Sequence, residues 1–219
     1  MWKENNPRPH AATYALVTRQ LAFAQNGIEV KPHADIYSYV FKRKGKTLLT
    51  IWAFSKDLVD AKIDMPSDWT AVDLMGKHFS GKKGESSFKL NDRPYFIELS
   101  APQKEVADAV AKGSYAMPQI TLAMNRKNGS TMNVFVQNKT NSELEAEVSL
   151  NGSAMQKVKL PPLANVPVPF ECKPGKVPLK AVALVGKVKY ELTRPEELYM
   201  VERLDHAPAM DGTLKGFEN

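Results

Sequence analysis

The sequence predicts an all-β protein made of two β-sandwich domains in tandem, with one short helix at the N-terminal end. Apolar residues alternate with a period of two in both halves: Tyr37, Tyr39 and Phe41 against Ile36 and Val40, then Leu144, Ala146, Val148 and Leu150 against Glu143, Glu145, Glu147 and Ser149. Turn-forming residues recur between such runs, at Lys44-Gly45, Pro66, Gly76, Gly81, Gly84 and Asn151-Gly152. A length of 219 residues suits two small cores, and a hydrophobic fraction of 43% is that of a folded chain.

Residues 1–30 hold the one segment with helical period. Ala12, Ala15, Leu16, Leu21 and Ala24, widened by Val17 and Phe23, form an apolar stripe over 11–25, and Asn26-Gly27 supplies residues suited to the turn just past a helix end. That stripe has nothing in its own segment to cover it, so it must lie on the following sandwich or stay exposed. From Asp35 the period changes to two, and both faces of the run are apolar, as in a strand covered on both sides. Lys44-Gly45 then turns the chain into 47–54, where Leu49, Ile51 and Ala53 oppose Leu48 and Trp52, which completes a hairpin. Shorter strands are expected at 58–63, 69–74, 87–90 and 94–99, so that 31–100 forms the first sandwich.

Residues 101–118 run from near Pro102 to Pro118 without strong alternation and read as a linker, in which 104–111 could form a short helix. Period two resumes in Met132, Val134 and Val136, and continues through the 144–150 run, Val158 and Leu160, Val166 to Phe170, 179–185 and Val188 to Leu192. Strands at a spacing of about ten residues read as an immunoglobulin-like sandwich over 119–201, without the Cys and Trp hallmarks of antibody domains. Residues 202–219 remain as a tail.

Taken in order, the tyrosine-rich strand, the Trp52 strand, the Asp73-Leu74-Met75-Gly76 turn and Arg93-Pro94-Tyr95-Phe96-Ile97-Glu98-Leu99 resemble the small β-domain that follows the catalytic barrel in secreted glycoside hydrolases and their relatives. Pro9-His10-Ala11-Ala12-Thr13-Tyr14-Ala15 through Leu21 resembles the last helix of a glycosidase (β/α)8 barrel. Ala207-Pro208-Ala209-Met210-Asp211-Gly212, with Leu214 and Phe217 beyond it, resembles the opening of family 9-like carbohydrate-binding modules, with Phe217 where that family usually has Trp. The resemblance implies a non-catalytic accessory region of a glycoside-hydrolase-like parent, whose catalytic acids would lie on barrel strands before residue 1. Its partners would be that barrel and that binding module, with polysaccharide as a further one. It also implies export of the parent to the extracellular or periplasmic space.

The residues themselves point to no catalytic centre. Glycoside hydrolysis needs two carboxylates held about 5 to 10 Å apart on a rigid frame. Asp57, Asp60, Asp64 and Asp68 instead recur in a loop-rich stretch, and Glu143, Glu145 and Glu147 alternate on the wet face of a strand. His10, His33, His78 and His206 lack zinc-ligand spacing, and the single Cys172 has no histidine within thirty residues, so neither a metal nor a cofactor is expected. No nucleotide or nucleophile-elbow motif occurs. Thirty basic residues against 24 acidic ones give +6, spread along the chain, and the Lys42-Arg43-Lys44-Gly45-Lys46 cluster reads as a solvated hairpin turn, so nucleic acid is not an expected partner. No run is long and apolar enough for a signal peptide or a membrane span, so a membrane partner is not expected either. Of the rings that could stack on a sugar, Trp52, Trp69, Tyr37, Tyr39 and Tyr95, most are expected in the core, and Trp69, at a strand start after Ser67-Asp68, is the candidate carbohydrate contact. The competing expectation is a free-standing sandwich protein that binds polysaccharide or another polyanion.

Overall fold

The computed structural model describes residues 9–128, 130–172 and 178–195, with side chains from residue 13 onward. They form an all-β protein, as the alternation predicted. The run resembling a carbohydrate-binding module, with His206, and the side chain of His10 lie outside the described residues.

Helix α1 (Pro9–Leu21) leads into β1 (Gln25–Val30), β2 (Ile36–Arg43), β3 (Lys46–Ala53), β4 (Val59–Met65), β5 (Trp69–Asp73), β6 (His78–Gly81), β7 (Gly84–Leu90) and β8 (Tyr95–Leu99). Helix α2 (Gln103–Ala111) and the short β9 (Ser114–Tyr115) follow. A six-stranded antiparallel sheet in the order β1-β2-β3-β8-β5-β6 packs on a three-stranded sheet, β7-β4-β9. Ile36, Val40, Leu49, Ile51, Ile63, Leu90 and Ile97, all fully buried, fill the space between them. The β2–β3 hairpin turns on Lys44 and Gly45, both in the left-handed region at φ 48° and 78°, the geometry that a two-residue loop between twisted strands requires.

The Asp73-Leu74-Met75-Gly76 turn links β5 to β6 for a local reason. Asp73 Oδ1 accepts the N–H groups of Met75 and Lys77, both at 2.9 Å, and Gly76 takes φ 82°.

Two expectations change. Helix α1 stops at Leu21 rather than near Gln25, because Phe23 enters the left-handed region at φ 64° and Ala24 N–H turns back to Leu21 O. Asn26-Gly27 lies instead in β1, at an irregularity between Gln25 and Ile28, where a Cβ on Gly27 would fall 2.6 Å from the Phe41 ring. Residues 101–118 are not a linker over most of their length. Helix α2 buries Val106 and Val110 completely in the first core, and Gln103 donates to Val40 O at 2.6 Å and to Asn26 O. Ser114 and Tyr115 then pair with β4. Burial of an i, i+4 valine pair outweighs the modest helix propensity of those residues.

Among the described residues the second unit holds seven strands: β10 (Ile120–Asn128), β11 (Thr131–Asn138), β12 (Leu144–Leu150), β13 (Gln156–Leu160), β14 (Asn165–Glu171), β15 (Leu179–Val185) and β16 (Val188–Arg194). Sheet β10-β11-β14 faces sheet β13-β12-β15-β16, an immunoglobulin-like arrangement, around Val134, Val136, Val148, Leu160, Ala181 and Ala183. The glutamates of β12 face lysines of β13, Glu145 opposite Lys159 and Glu147 opposite Lys157, as the alternation predicted, whereas Ser149, expected on the same wet face, is buried.

The two units are joined by polar contacts. Fully buried Asn138 donates to Ser142 O (2.7 Å), Leu160 O and Pro161 O (both 3.0 Å), while its Oδ1 accepts the N–H and hydroxyl of Thr140 (both 2.9 Å). This shapes the 139–142 loop against the first unit. Ala34 N–H donates to Lys139 O (2.7 Å), Asn141 N–H to Pro32 O (3.2 Å), and Asn141 Nδ2 to Ala111 O (2.9 Å). His33, 4% exposed, donates from Nε2 to Pro118 O (3.0 Å) and accepts Asp35 N–H at Nδ1 (3.1 Å). Asp35 in turn pairs with Lys139 at 3.0 Å.

Asn138→Ala would leave several of these buried groups without partners, so a loss of about 3 kcal/mol is expected in denaturant unfolding, with faster amide exchange across 139–142. Burial also pushes the Tyr115 phenol far above its ordinary range. A phenol pKa raised on folding contributes stability that is intact below the unfolded value of about 10 and is lost as pH rises beyond it. Unfolding free energy is therefore expected to fall above pH ~10, and to fall less steeply in Tyr115→Phe.

Candidate functional site

The outer face of the six-stranded sheet is the surface that its own sandwich does not use. In a two-layer sandwich one sheet face meets the core and the other meets water. Here the second face is apolar as well. Leu48, Val72 and Phe96 point outward from β3, β5 and β8, yet are 0%, 6% and 3% exposed, because Val17 of α1 packs over them with Phe41 and Leu74. Of the predicted stripe, Val17 is thus docked on this face, while Ala15, Leu21 and Phe23 stay exposed. Arg43 pins its end by donating to Ala22 O and Arg19 O (both 3.2 Å) and by pairing with Glu98.

Beside α1 runs a row of rings contributed by β2 and β3. Tyr37 stacks on Trp52 with centroids 5.4 Å apart and planes 12° from parallel, Trp52 on Tyr39 at 5.9 Å, and Tyr39 on Phe41 at 6.3 Å. Register makes the row: Tyr37 lies opposite Trp52, and Tyr39 is the next outward residue along β2. All four rings are half-buried. Phe41 belongs both to the row and to the patch beneath α1, so the apolar surface is continuous. Such a row presents a continuous, half-buried apolar surface, which suits packing against another apolar layer.

Trp69 lies on the inner side of the sheet. Its indole N–H donates to Ser86 Oγ at 3.0 Å, its ring meets Phe88 at 5.2 Å, and a Cβ on Gly81 would fall 2.4 Å from it. Trp69 packs against the first core with its indole N–H satisfied, and it stays half-buried at the edge of a cleft lined also by Asp68 and Lys82. Tyr95 lies on the same side, edge-on to Phe79 and Phe88. Tyr37, Tyr39 and Trp52, expected mainly in the core, stand on the outer face instead, half-buried like Trp69 and Tyr95. The two apolar faces of 36–41 were the signal for this, since a strand with a single wet face would not carry three rings on it.

Four acids of the first unit, Asp64, Glu85, Glu105 and Asp108, line one cleft of about 780 Å³ together with Lys62, Lys83 and Lys112. Asp57, Asp60, Asp64 and Asp68 are all exposed, Asp60 pairs with Lys89, and the Lys82 ammonium and Lys83 N–H hold the Asp68 carboxyl below the usual carboxylate range. His33 is taken up by the joint and His78 is exposed. Cys172 is half-buried, with Arg126 Nη1 donating to its carbonyl at 2.9 Å. Among the described residues no group of three or more His, Cys, Asp or Glu could hold a metal ion, and no helix is long and apolar enough to cross a membrane.

No family model matches the sequence, and no curated protein matches it. Solved structures with which the chain aligns include a GH2 β-galacturonidase from Eisenbergiella tayi, at 8% identity and a TM-score of 0.26 over 79% of this chain and 43% of that one. β-Glucuronidase 2 of Bacteroides uniformis aligns at 11% identity and a TM-score of 0.26, covering 75% of this chain and 27% of that one. A β-glucuronidase from Faecalibacterium prausnitzii aligns at 11% identity and 0.24, covering 69% and 37%. The chain thus spans less than half the length of each. Likeness at that level does not bear on what this chain binds or does.

Gly81→Ala tests the Trp69 assignment. The added methyl has to displace the indole, and a loss of about 1 to 3 kcal/mol in thermal unfolding is expected, together with a shift in tryptophan emission.

Proposed function

We propose that this chain is a non-catalytic accessory region of an exported glycoside-hydrolase-like protein. Its first sandwich braces the catalytic barrel, and its second spaces that barrel from a carbohydrate-binding module beginning near residue 202. The observation that carries the bracing role is the doubly apolar sheet. Leu48, Val72 and Phe96 are covered by α1, while the adjoining row of Tyr37, Trp52, Tyr39 and Phe41 stays half-exposed, so the face is suited to a third layer wider than α1 alone. The resemblance of α1 to the last helix of such a barrel supports that layer as its occupant. The spacing role is supported by the joint at Asn138, His33 and Asp35, whose many short-range polar contacts hold one sandwich against the other.

The test uses the complete natural polypeptide. Replacing Tyr37, Tyr39 and Trp52 together by Ser is expected to lower the melting temperature of the barrel by about 5 °C, while the same triple variant of residues 1–219 alone loses less, because rings at the centre of an interface contribute most when fully covered. A barrel that melts at the same temperature with and without residues 1–100 would rule the bracing role out.

A further inference from the structure

At the tip of the β2–β3 hairpin, a cleft of about 850 Å³ opens between the end of α1, the edge strand β1 and the start of α2. Its volume is that of a small-molecule site. Lys42, Lys44, Lys46 and Lys104 line it, all exposed, and among the described residues no acidic side chain does. Lys44 stands over the Phe23 ring at 4.5 Å, and among the described residues none of the four lysines has a carboxylate within ion-pair distance. Elsewhere on the same unit some lysines are matched with acids, as Lys62 is with Glu85, Lys82 with Asp68 and Lys89 with Asp60, and what sets the cleft apart is four ammonium groups gathered in one place.

One further feature of the cleft costs folding stability. Phe23 is 69% exposed and holds φ 64°, a backbone conformation that a bulky residue adopts only under constraint. Ile28 adds a second apolar contact on the same wall at 41% exposure.

We infer that this cleft binds an acidic oligosaccharide, through its carboxylate or sulfate groups. A sugar of that kind presents apolar C–H faces and pendant anions together, which matches an exposed ring and an exposed isoleucine surrounded by ammonium groups. Lysines act as separate point charges on flexible stems and tolerate anions at varied positions along a chain of sugars. The one arginine in the wall, Arg43, has its guanidinium committed to Glu98 and to two carbonyls, so the cleft offers no free bidentate fork for phosphate. The cations also gather around one hairpin tip instead of forming the extended stripe that tracks a nucleic-acid backbone. The inference stands independently of the bracing role, which uses the Tyr37 to Phe41 row.

Calorimetric titration of residues 1–219 at low salt tests it, with oligogalacturonate and a sulfated heparin fragment as probes, and with uncharged dextran oligomers and single-stranded DNA of equal charge as controls. Binding to one or both acidic sugars is expected, and the two arms show which anion the cleft takes. Lys42→Gln, Lys46→Gln and Lys104→Gln combined should weaken it about tenfold or more, and Phe23→Ala about fivefold. Lys56→Gln, Lys159→Gln and Lys187→Gln combined remove the same charge elsewhere and should leave it unchanged. Since the substituted lysines are all exposed, unchanged melting curves are expected for both triple variants. Absence of binding to both acidic probes, equal loss in the two triple variants, or equally tight binding of single-stranded DNA would each overturn the inference.

Discussion

A sheet with two apolar faces needs two covering layers, and most of the first unit follows from that demand. On the inner face the cover is the small sheet β7-β4-β9 together with α2, whose Val106 and Val110 fill what three strands cannot reach. On the outer face the cover is α1, set over Leu48, Val72 and Phe96. The burial of these three side chains alone, each worth about 1.5 to 3 kcal/mol when removed from water, exceeds what the helix could gain from its own backbone as an isolated segment. Helix α1 is thus held by the sheet, and Arg43 fixes where it ends.

The second unit exposes more charge. Its glutamates and lysines meet in cross-strand pairs on β12 and β13, while Val182 and Leu184 of β15, both half-buried, stand on that same face opposite Ser149 and Glu147. Its tie to the first unit is correspondingly polar. Backbone carbonyls at Pro32, Ala111 and Pro118 are met by Asn141 and His33, and fully buried Asn138 keeps the loop that delivers these contacts in shape. Directional bonds of this type specify an orientation more sharply than apolar contact would, because each donor must meet its own acceptor.

Charge is arranged with equal contrast. Exposed ion pairs such as Lys62 with Glu85 contribute little stability individually, and they leave the surface locally neutral. At the hairpin tip four lysines gather around a cleft that, among the described residues, no acidic side chain lines, next to an aromatic residue held exposed in an unfavourable backbone conformation. Such local disagreements with folding stability are where function is to be sought.

The sequence by itself determined the alternation of the strands, and with it the all-β class, the β2–β3 hairpin at Lys44-Gly45, the Asp73 turn and the outward glutamates of β12. These are local properties: side-chain period, turn conformation and a carboxylate reaching its own backbone. Only the tertiary structure decided the rest. Whether Val106 and Val110 belong to a linker or a core depends on a sheet more than forty residues upstream in the chain. Whether a ring is exposed depends on which sheet face it stands on and what covers that face, so Trp69 went inward and Tyr37, Tyr39 and Trp52 outward. The cleft joins residues from three separate segments between Phe23 and Lys104, and no spacing along the chain encodes that meeting, because it arises from the packing of α2 against β1 and β2.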